Sequence, residues 1–174
     1  MVQGFTQVAA NGYLLDQFLL WDTKGHKDQW GGSEENMAHI LLEVLDAVTQ
    51  VGLRLSPVGY LHLEHDERGR AVFDYLLPKL NHYPFAYVHT GMLEDTPYPH
   101  LGGTVTQYIR RLYDGTVIAC GGYDTDSGRQ VLQQGDADLI AIVRPLFANP
   151  DCIEKVRSNQ SLTSYSADML DTLI

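Results

Sequence analysis

The chain has 174 residues, 44% of them hydrophobic and 20% charged, which suffices for one domain with a substantial core. It carries 12 basic against 22 acidic residues, a formal net charge of -10, so nucleic acid and anionic membranes would be repelled and are not expected as partners. The length is below the roughly 200 to 250 residues of a closed (β/α)8 barrel.

The two cysteines indicate a reducing compartment. Cys120 lies in an apolar run and Cys152 stands alone, so neither belongs to a C-x-x-C pair. The first residues show no basic and apolar secretory signal, and no apolar run is long enough to span a membrane. We therefore expect a cytoplasmic protein.

The clearest predicted element is a helix over residues 33–50. Its apolar residues recur at helical spacing, namely Met37, Ile40, Leu41, Val44, Leu45 and Val48. Ser33 is a good N-cap and two acidic residues follow it, which suits the positive end of the helix dipole. A short strand over 51–55, closed by Pro57, comes directly afterwards. A helix followed at once by a strand is typical of α/β proteins.

This alternation continues to the end of the chain. After a charged loop at 62–70 the pattern predicts helices over 71–80, 105–113, 125–134 and from 150 to 157, with strands over 85–89, 116–120 and 139–143 between them. The strands are apolar on both faces, as parallel strands covered by helices must be. We expect about half of a (β/α)8 TIM barrel, a single domain over 1–174; an open doubly wound sheet is the structural alternative.

The ends of the predicted strands carry a candidate anion site. Gly121 and Gly122 lie between a strand and a helix, where a backbone without side chains can approach an anion, and the helix N-terminus adds a favourable dipole. Arg144 is expected to close the next strand and can bind a phosphate with two hydrogen bonds. The alternative is that the glycines only form a tight turn and that Arg144 pairs with an acid.

Arg54 is the second candidate. It lies within the apolar strand at 51–55, where a guanidinium would point into the barrel and would be costly without a partner. A carbonyl or anionic ligand would be such a partner, and a buried ion pair with one of the surplus acids is the alternative.

The stretch His62-Leu63-Glu64-His65-Asp66 contains ligand-type side chains, but its spacing fits no helical zinc motif, so we expect no metal.

Five ordered motifs resemble the Old Yellow Enzyme family of FMN-dependent NAD(P)H oxidoreductases, which reduce activated C=C bonds. They cover nearly the whole chain, and their order matches the C-terminal half of the family's (β/α)8 barrel. The motifs are Ala9-Ala10-Asn11-Gly12-Tyr13-Leu14-Leu15-Asp16-Gln17-Phe18, Trp30-Gly31-Gly32-Ser33-Glu34-Glu35-Asn36, Gly52-Leu53-Arg54-Leu55-Ser56-Pro57, Ile118-Ala119-Cys120-Gly121-Gly122 and Arg144-Pro145-Leu146-Phe147-Ala148-Asn149-Pro150-Asp151.

The resemblance implies a role for two residues toward an enone-type substrate, an α,β-unsaturated carbonyl compound. Asn11 would hold the carbonyl oxygen, and Tyr13 would donate a proton to the α-carbon while hydride from the reduced flavin reaches the β-carbon. The alternative for Tyr13 is an aromatic side chain that only packs at a strand-to-helix turn.

The resemblance also implies non-covalent FMN and NAD(P)H as the reductant. Arg54 would contact the flavin ring and stabilise its anionic reduced form. The amides of Gly121 and Gly122, with Arg144, would hold the phosphate. Val143 stands where the family has a glycine before this arginine; its main-chain N–H remains, while its β-branched side chain crowds the approach.

Two departures point to a second hypothesis. Val8 stands where the family has a second donor to the substrate oxygen, and the chain begins at what would be the family's fourth strand. A half barrel has two open sheet edges, which tend to pair with another chain, so we expect self-association or pairing with a complementary barrel half. The alternative function is therefore a non-catalytic half barrel that has lost flavin and acts in assembly or interaction.

Overall fold

Five parallel strands form one sheet in a computed structural model of the chain, which describes residues 6–21, 27–48, 51–59 and 67–172. Each strand pairs with the next along the chain. The strands are β1 (Thr6–Ala9), β2 (Gly52–Leu55), β3 (Tyr87–Thr90), β4 (Val117–Ala119) and β5 (Leu139–Ile140). A doubly wound sheet reverses its strand order at a switch point, whereas strands in a barrel follow chain order. The described strands therefore exclude the doubly wound alternative.

Helices alternate with these strands. They are α1 (Leu14–Phe18), α2 (Glu34–Ala47), α3 (Glu67–Leu80), α4 (Val105–Leu112), α5 (Thr125–Gln134), α6 (Arg144–Ala148) and α7 (Cys152–Arg157), with 3-10 turns at Pro99–Leu101 and Ala167–Thr172. Within the described residues, no helix combines the length and apolar character that a membrane crossing requires.

Helix α2 confirms the prediction from periodicity. Met37, Leu41 and Leu45 are buried in the core, and the side chain of Ser33 accepts a hydrogen bond from the amide of Asn36 as an N-cap. Burying each of these large apolar side chains stabilises the fold by roughly 1.5–3 kcal/mol. The helix ends before Val48, which caps it in an extended conformation.

The two faces of the sheet differ in burial. Leu53, Val88 and Val117 are paired neighbours and are fully buried beneath the helices. On the opposite face Arg54, paired with Val8 and His89, is only half-buried, as are both of those neighbours. Since this second face corresponds to the interior of a barrel, the polar residues on β2 and β3 point toward the barrel axis.

The prediction for the last strand is wrong at its carboxyl end. We expected a strand over 139–143 closed by Arg144, but β5 ends at Ile140 and Arg144 is the first residue of α6. Pro145, at the second position of α6, explains the difference, because proline favours the first turn of a helix.

The predicted loop at 62–70 is also too long, because α3 begins at Glu67. Gly69 opposes helix formation by its own propensity, but it is buried in the first turn of α3, so tertiary packing determines where this helix begins.

The ligand-type stretch His62 to Asp66 lies outside the described residues. No group of three His, Cys, Asp or Glu side chains that could hold a metal occurs in the described part of the chain.

Candidate functional site

A tight turn carries Asn11 from the end of β1 into α1. Asn11 and Gly12 both have left-handed backbone angles, with φ of 59° and 80°, and the amide of Tyr13 donates to the carbonyl of Ala10 over 3.2 Å. This is the arrangement of a type I′ turn, for which Asn-Gly is the preferred pair. The carboxylate of Asp16 accepts from the Gly12 amide over 2.8 Å and fixes the turn against the helix.

The two side chains of this turn face different surroundings. Asn11 is buried, and its Oδ1 has no hydrogen-bond partner in the described part of the chain. Tyr13 is the N-cap of α1, makes no capping hydrogen bond through its side chain, and is 59% exposed. The structure therefore holds an orphaned amide oxygen and an exposed phenol two residues apart at the carboxyl edge of the sheet.

Arg54 enters the site from β2. Its Nε is buried and without a partner, and the described residues provide no ion pair for its guanidinium. A Cβ on Gly91 would lie 3.2 Å from both this Nε and the Cβ of Ala10. The absence of a side chain at Gly91 thus leaves room for Arg54 beside the Asn11 turn, and the ion-pair alternative for Arg54 is not observed among these residues.

His89 is the neighbour of Arg54 on the same face of the sheet. Burial lowers the pKa of His89 below its ordinary value, and the charge of Arg54 lowers it further. Its Nδ1 is also buried without a partner in the described residues. A neutral imidazole therefore lies beside a permanent cation on the interior face.

A cavity of about 390 Å³ opens between the ends of the last two strands. It is lined by four of the predicted site residues, Arg54, Gly122, Val143 and Arg144. Its volume falls within the roughly 300–1,000 Å³ of small-molecule sites. Of the five predicted cofactor residues, Gly121 does not line the cavity. Asn11 and Tyr13 do not line it either, so the structure brings four cofactor residues together and leaves the predicted substrate residues at the other end of the strand row.

The glycine turn after β4 leaves donors available at this cavity. Gly122 has a φ of 74°, and neither its amide nor that of Gly121 donates a hydrogen bond within the part of the chain described. The start of α5 contributes less than expected, because Asp124 caps it by accepting from the amides of Asp126 and Ser127. The glycine amides, rather than the α5 terminus, are thus the donors that an anion can use.

Arg144 and Val143 lie on the opposite wall. Both are exposed, and Arg144 forms no ion pair among the described residues. The alternative in which Arg144 pairs with an acid is therefore not observed in this part of the chain. Val143 is 57% exposed and lines the cavity.

Sequence reasoning missed one wall of the cavity, the segment 162–165. The fully buried side chain of Asn149 holds this segment, since it donates to the Thr163 carbonyl and accepts from the Thr163 amide, each over 2.9 Å. Lys155 donates to the same amide oxygen over 3.1 Å. Asn149 lies in one of the recognised motifs, but nothing in the local sequence pattern predicts a pairing 14 residues away.

Cys120, which the sequence places in an apolar run, also lines the cavity. It is a free thiol whose Sγ lies 3.7 Å from the Met92 carbonyl. Burial raises the pKa of the Cys120 thiol, and the nearby charges of Arg54 and Arg144 oppose this rise. The thiol therefore remains protonated at neutral pH.

Comparison with known proteins gives a consistent result. The family model of the NADH:flavin oxidoreductase / NADH oxidase family matches residues 4–163. The chain is 36% identical over 174 residues to the putative 12-oxophytodienoate reductase 3 of Oryza sativa subsp. japonica, covering 94% of this chain and 45% of the relative. It is 32% identical over 181 residues to 12-oxophytodienoate reductase 2 of Arabidopsis thaliana, covering 95% of this chain and 47% of that protein.

Solved structures give the same picture for the fold. Morphinone reductase in complex with tetrahydroNAD superposes with a TM-score of 0.81 at 35% identity, over 94% of this chain and 46% of the other. The old yellow enzyme from Trypanosoma cruzi superposes with a TM-score of 0.83 at 26% identity, over 95% of this chain and 46% of the other. The chain thus spans about half the length of the relatives it matches, and the half-barrel prediction is confirmed.

Proposed function

Because the chain belongs to the NADH:flavin oxidoreductase / NADH oxidase family, we propose that it binds FMN non-covalently and reduces the activated C=C bond of α,β-unsaturated carbonyl compounds with NAD(P)H. The observation that carries this proposal is the cavity of about 390 Å³, in which Arg54, Gly122 and Arg144 meet. The chain has two free thiols, Cys120 and Cys152, which fit a reducing compartment. We therefore propose the cytoplasm as its location.

The residues at this cavity fit an anionic, planar cofactor. A phosphate needs a set of free hydrogen-bond donors. Among the described residues, the two glycine amides have no intramolecular acceptor and Arg144 has no ion pair, so they form such a set. The guanidinium of Arg54, which lines the cavity, supplies a charged donor from which a ring carbonyl or ring nitrogen would accept. We assign the phosphate to Gly121, Gly122 and Arg144, and the ring edge to Arg54.

Bound FMN would supply the hydride chemistry, which amino-acid side chains cannot perform. The chain's own residues would orient the substrate and move one proton. We propose that the Tyr13 phenol donates this proton to the α-carbon, since its hydroxyl is exposed at the carboxyl edge of the sheet. The side chain of Asn11 would hold the substrate carbonyl, and the left-handed turn that carries it fixes its direction.

One observation favours a second candidate, a non-catalytic half barrel. Val8 is the direct neighbour of Arg54 on the interior face and offers no hydrogen-bond donor there. Loss of one donor to a developing oxyanion costs about 10²–10³ in rate. Without a donor at Val8, enone reduction would be too slow to matter, and the half barrel would act in assembly or interaction instead.

A spectroscopic experiment separates the two candidates. The purified chain is incubated with excess FMN, desalted, and examined for flavin absorbance and for NADPH-dependent reduction of 2-cyclohexenone. We expect retained flavin in the wild type and in Arg157→Ala, an exposed arginine that does not line the cavity, and reduced retention in Arg144→Ala. Retained flavin without enone reduction would support a chain that binds flavin but does not turn over, whereas a colourless wild type would overturn the proposed FMN site.

We further propose that the open sheet edges pair with a segment carrying three more βα units. A closed barrel has eight strands and this sheet has five, so three strands complete it, whereas a second copy would bring ten. Both edges present exposed apolar side chains, which are Leu14 after β1, Leu139 in β5, and Leu146 and Phe147 in α6. Exposed apolar surface of this kind is typical of an interaction surface.

A further inference from the structure

Asp95, in the loop that follows β3, lies directly against the glycine turn. Its amide donates to the Gly121 carbonyl over 3.0 Å. A Cβ on Gly121 would come within 2.4 Å of the Asp95 Cβ and 2.7 Å of its amide nitrogen, and a Cβ on Gly122 would lie 3.2 Å from the carbonyl oxygen of Leu93. The loop backbone therefore packs directly against the turn.

The carboxylate of Asp95 reaches past the turn. One oxygen accepts from the amides of Val105 and Thr106 at the start of α4, over 2.9 and 3.4 Å. The other accepts from the hydroxyl of Tyr123 over 2.5 Å. Tyr123 directly follows the glycine pair and lines the cavity, so one side chain ties the far end of the turn to the first turn of α4.

The charge of this carboxylate is already compensated by the protein. The first amides of α4 and the positive end of its dipole stabilise an anion at this position. Burial raises the pKa of Tyr123, and its hydrogen bond to Asp95 raises it further, so the phenol stays a donor. The carboxylate of Asp95 thus accepts from three protein donors, and no ligand in the cavity is needed to satisfy it.

We propose that Asp95 is a positioning residue for the flavin phosphate. It holds Gly121 through the backbone and Tyr123 through the side chain, and so keeps the amides of the intervening turn free and directed to the cavity. The inference rests on the proposed FMN site and adds to it a residue that lies behind the glycine turn. Its effect should be confined to ligands that carry the phosphate.

The test compares FMN with riboflavin, which has the same ring but no phosphate. Dissociation constants for both flavins are measured by quenching of flavin fluorescence for the wild type, Asp95→Asn and Tyr123→Phe. Each variant removes or weakens one hydrogen bond of the support, so we expect roughly a tenfold loss of FMN affinity. Riboflavin affinity should change less than about twofold, since Asp95 and the phenol do not act on the ring.

The chain offers a matched control in a second tyrosine–aspartate pair. The Tyr108 hydroxyl donates to Asp74 over 2.8 Å, and neither residue lines the cavity. Tyr108→Phe should lower thermal stability without changing the ratio of FMN to riboflavin affinity. The positioning role alone would be overturned if the Asp95→Asn and Tyr123→Phe variants kept the wild-type ratio of FMN to riboflavin affinity. This includes a loss of affinity that is equal for both flavins. A wild type that binds neither flavin would overturn the proposed function, and this inference with it.

Discussion

At the residue scale, two basic side chains lie side by side on the interior face. Arg54 and His89 are paired across β2 and β3, and each has a buried ring or guanidinium nitrogen without a partner in the described residues. Two adjacent cations would repel each other in a poorly solvated interior. Folding is therefore most favourable while His89 is neutral.

This pairing predicts a pH dependence of stability. Burial, with the charge of Arg54 as the second cause, lowers the pKa of His89 below 6.5 in the folded chain. Above that pH the imidazole is neutral in both states and contributes nothing. As the pH falls below 6.5 the unfolded chain takes up the proton first, so the free energy of unfolding decreases until the folded pKa is reached.

Urea unfolding at pH 7.5 and at pH 5.5 measures this effect. The wild type should lose more stability between the two pH values than His89→Gln, which cannot titrate. An equal loss in both proteins would show that His89 is not responsible.

Tyr13 gives the second prediction at this scale. Replacing it by phenylalanine removes the proposed proton donor, and general acid catalysis contributes about 10²–10⁴ in rate. Tyr13→Phe should therefore reduce the rate of enone reduction at least a hundredfold while FMN affinity stays unchanged, because Tyr13 does not line the cavity. Steady-state kinetics of the FMN-loaded protein provide the measurement. Tyr75→Phe, on α3, serves as the control, and a rate for Tyr13→Phe close to that of the control would contradict the assignment.

At the scale of elements, the sequence predicted helix α5 better than the end of the last strand or the contacts that support the site. Helix α5 begins and ends as predicted, because Asp124 and Gly135 mark its limits by local chemistry. The strand at 139–143 was predicted too long, although Pro145 gave a signal for an early helix. Asp95 could not have been found from sequence, since it supports the start of α4 from ten residues upstream, beyond the range of any capping pattern.

Gly121, in the turn after β4, and Gly135, at the end of α5, give a prediction with an internal control. Gly121→Ala brings a methyl group against the backbone of Asp95, and such overpacking costs about 1–3 kcal/mol of unfolding free energy. Gly135→Ala meets nothing within 4 Å and suffers only from its φ of 76°, which costs about 1 kcal/mol. Chemical unfolding should thus show both variants destabilised, but only Gly121→Ala should also lose FMN affinity. Unchanged FMN binding by Gly121→Ala would contradict the role of this turn.

At the scale of the whole molecule, the length that first suggested an ordinary single domain corresponds to part of a larger barrel. Motif order identified the half barrel, and the sheet of five strands in chain order agrees with it. The cavity could be predicted only in part: its arginines and glycines lie in recognisable motifs, but the wall at 162–165 depends on the buried Asn149, whose contacts are set by tertiary packing.

The open edges lead to a prediction about assembly. We expect the chain to form a one-to-one complex with a separately expressed segment that carries three further βα units of a relative, and to change its sedimentation coefficient accordingly. Leu139→Lys, on the exposed side of β5, should weaken this complex because a charge would be buried at the interface. Sedimentation velocity on the chain alone and on the mixture distinguishes the outcomes. Self-dimerisation without binding to the segment, or a monomer in both samples, would contradict the three-unit partner.

The central claim is that the cavity holds the phosphate of FMN, and isothermal titration of the wild-type chain with FMN and with riboflavin tests it most directly. Charge-assisted hydrogen bonds from Arg144 and the glycine amides contribute about 1.5–3 kcal/mol each, so the account predicts that FMN binds at least about tenfold more tightly than riboflavin. Equal affinity for the two flavins, or no binding of FMN, would contradict it.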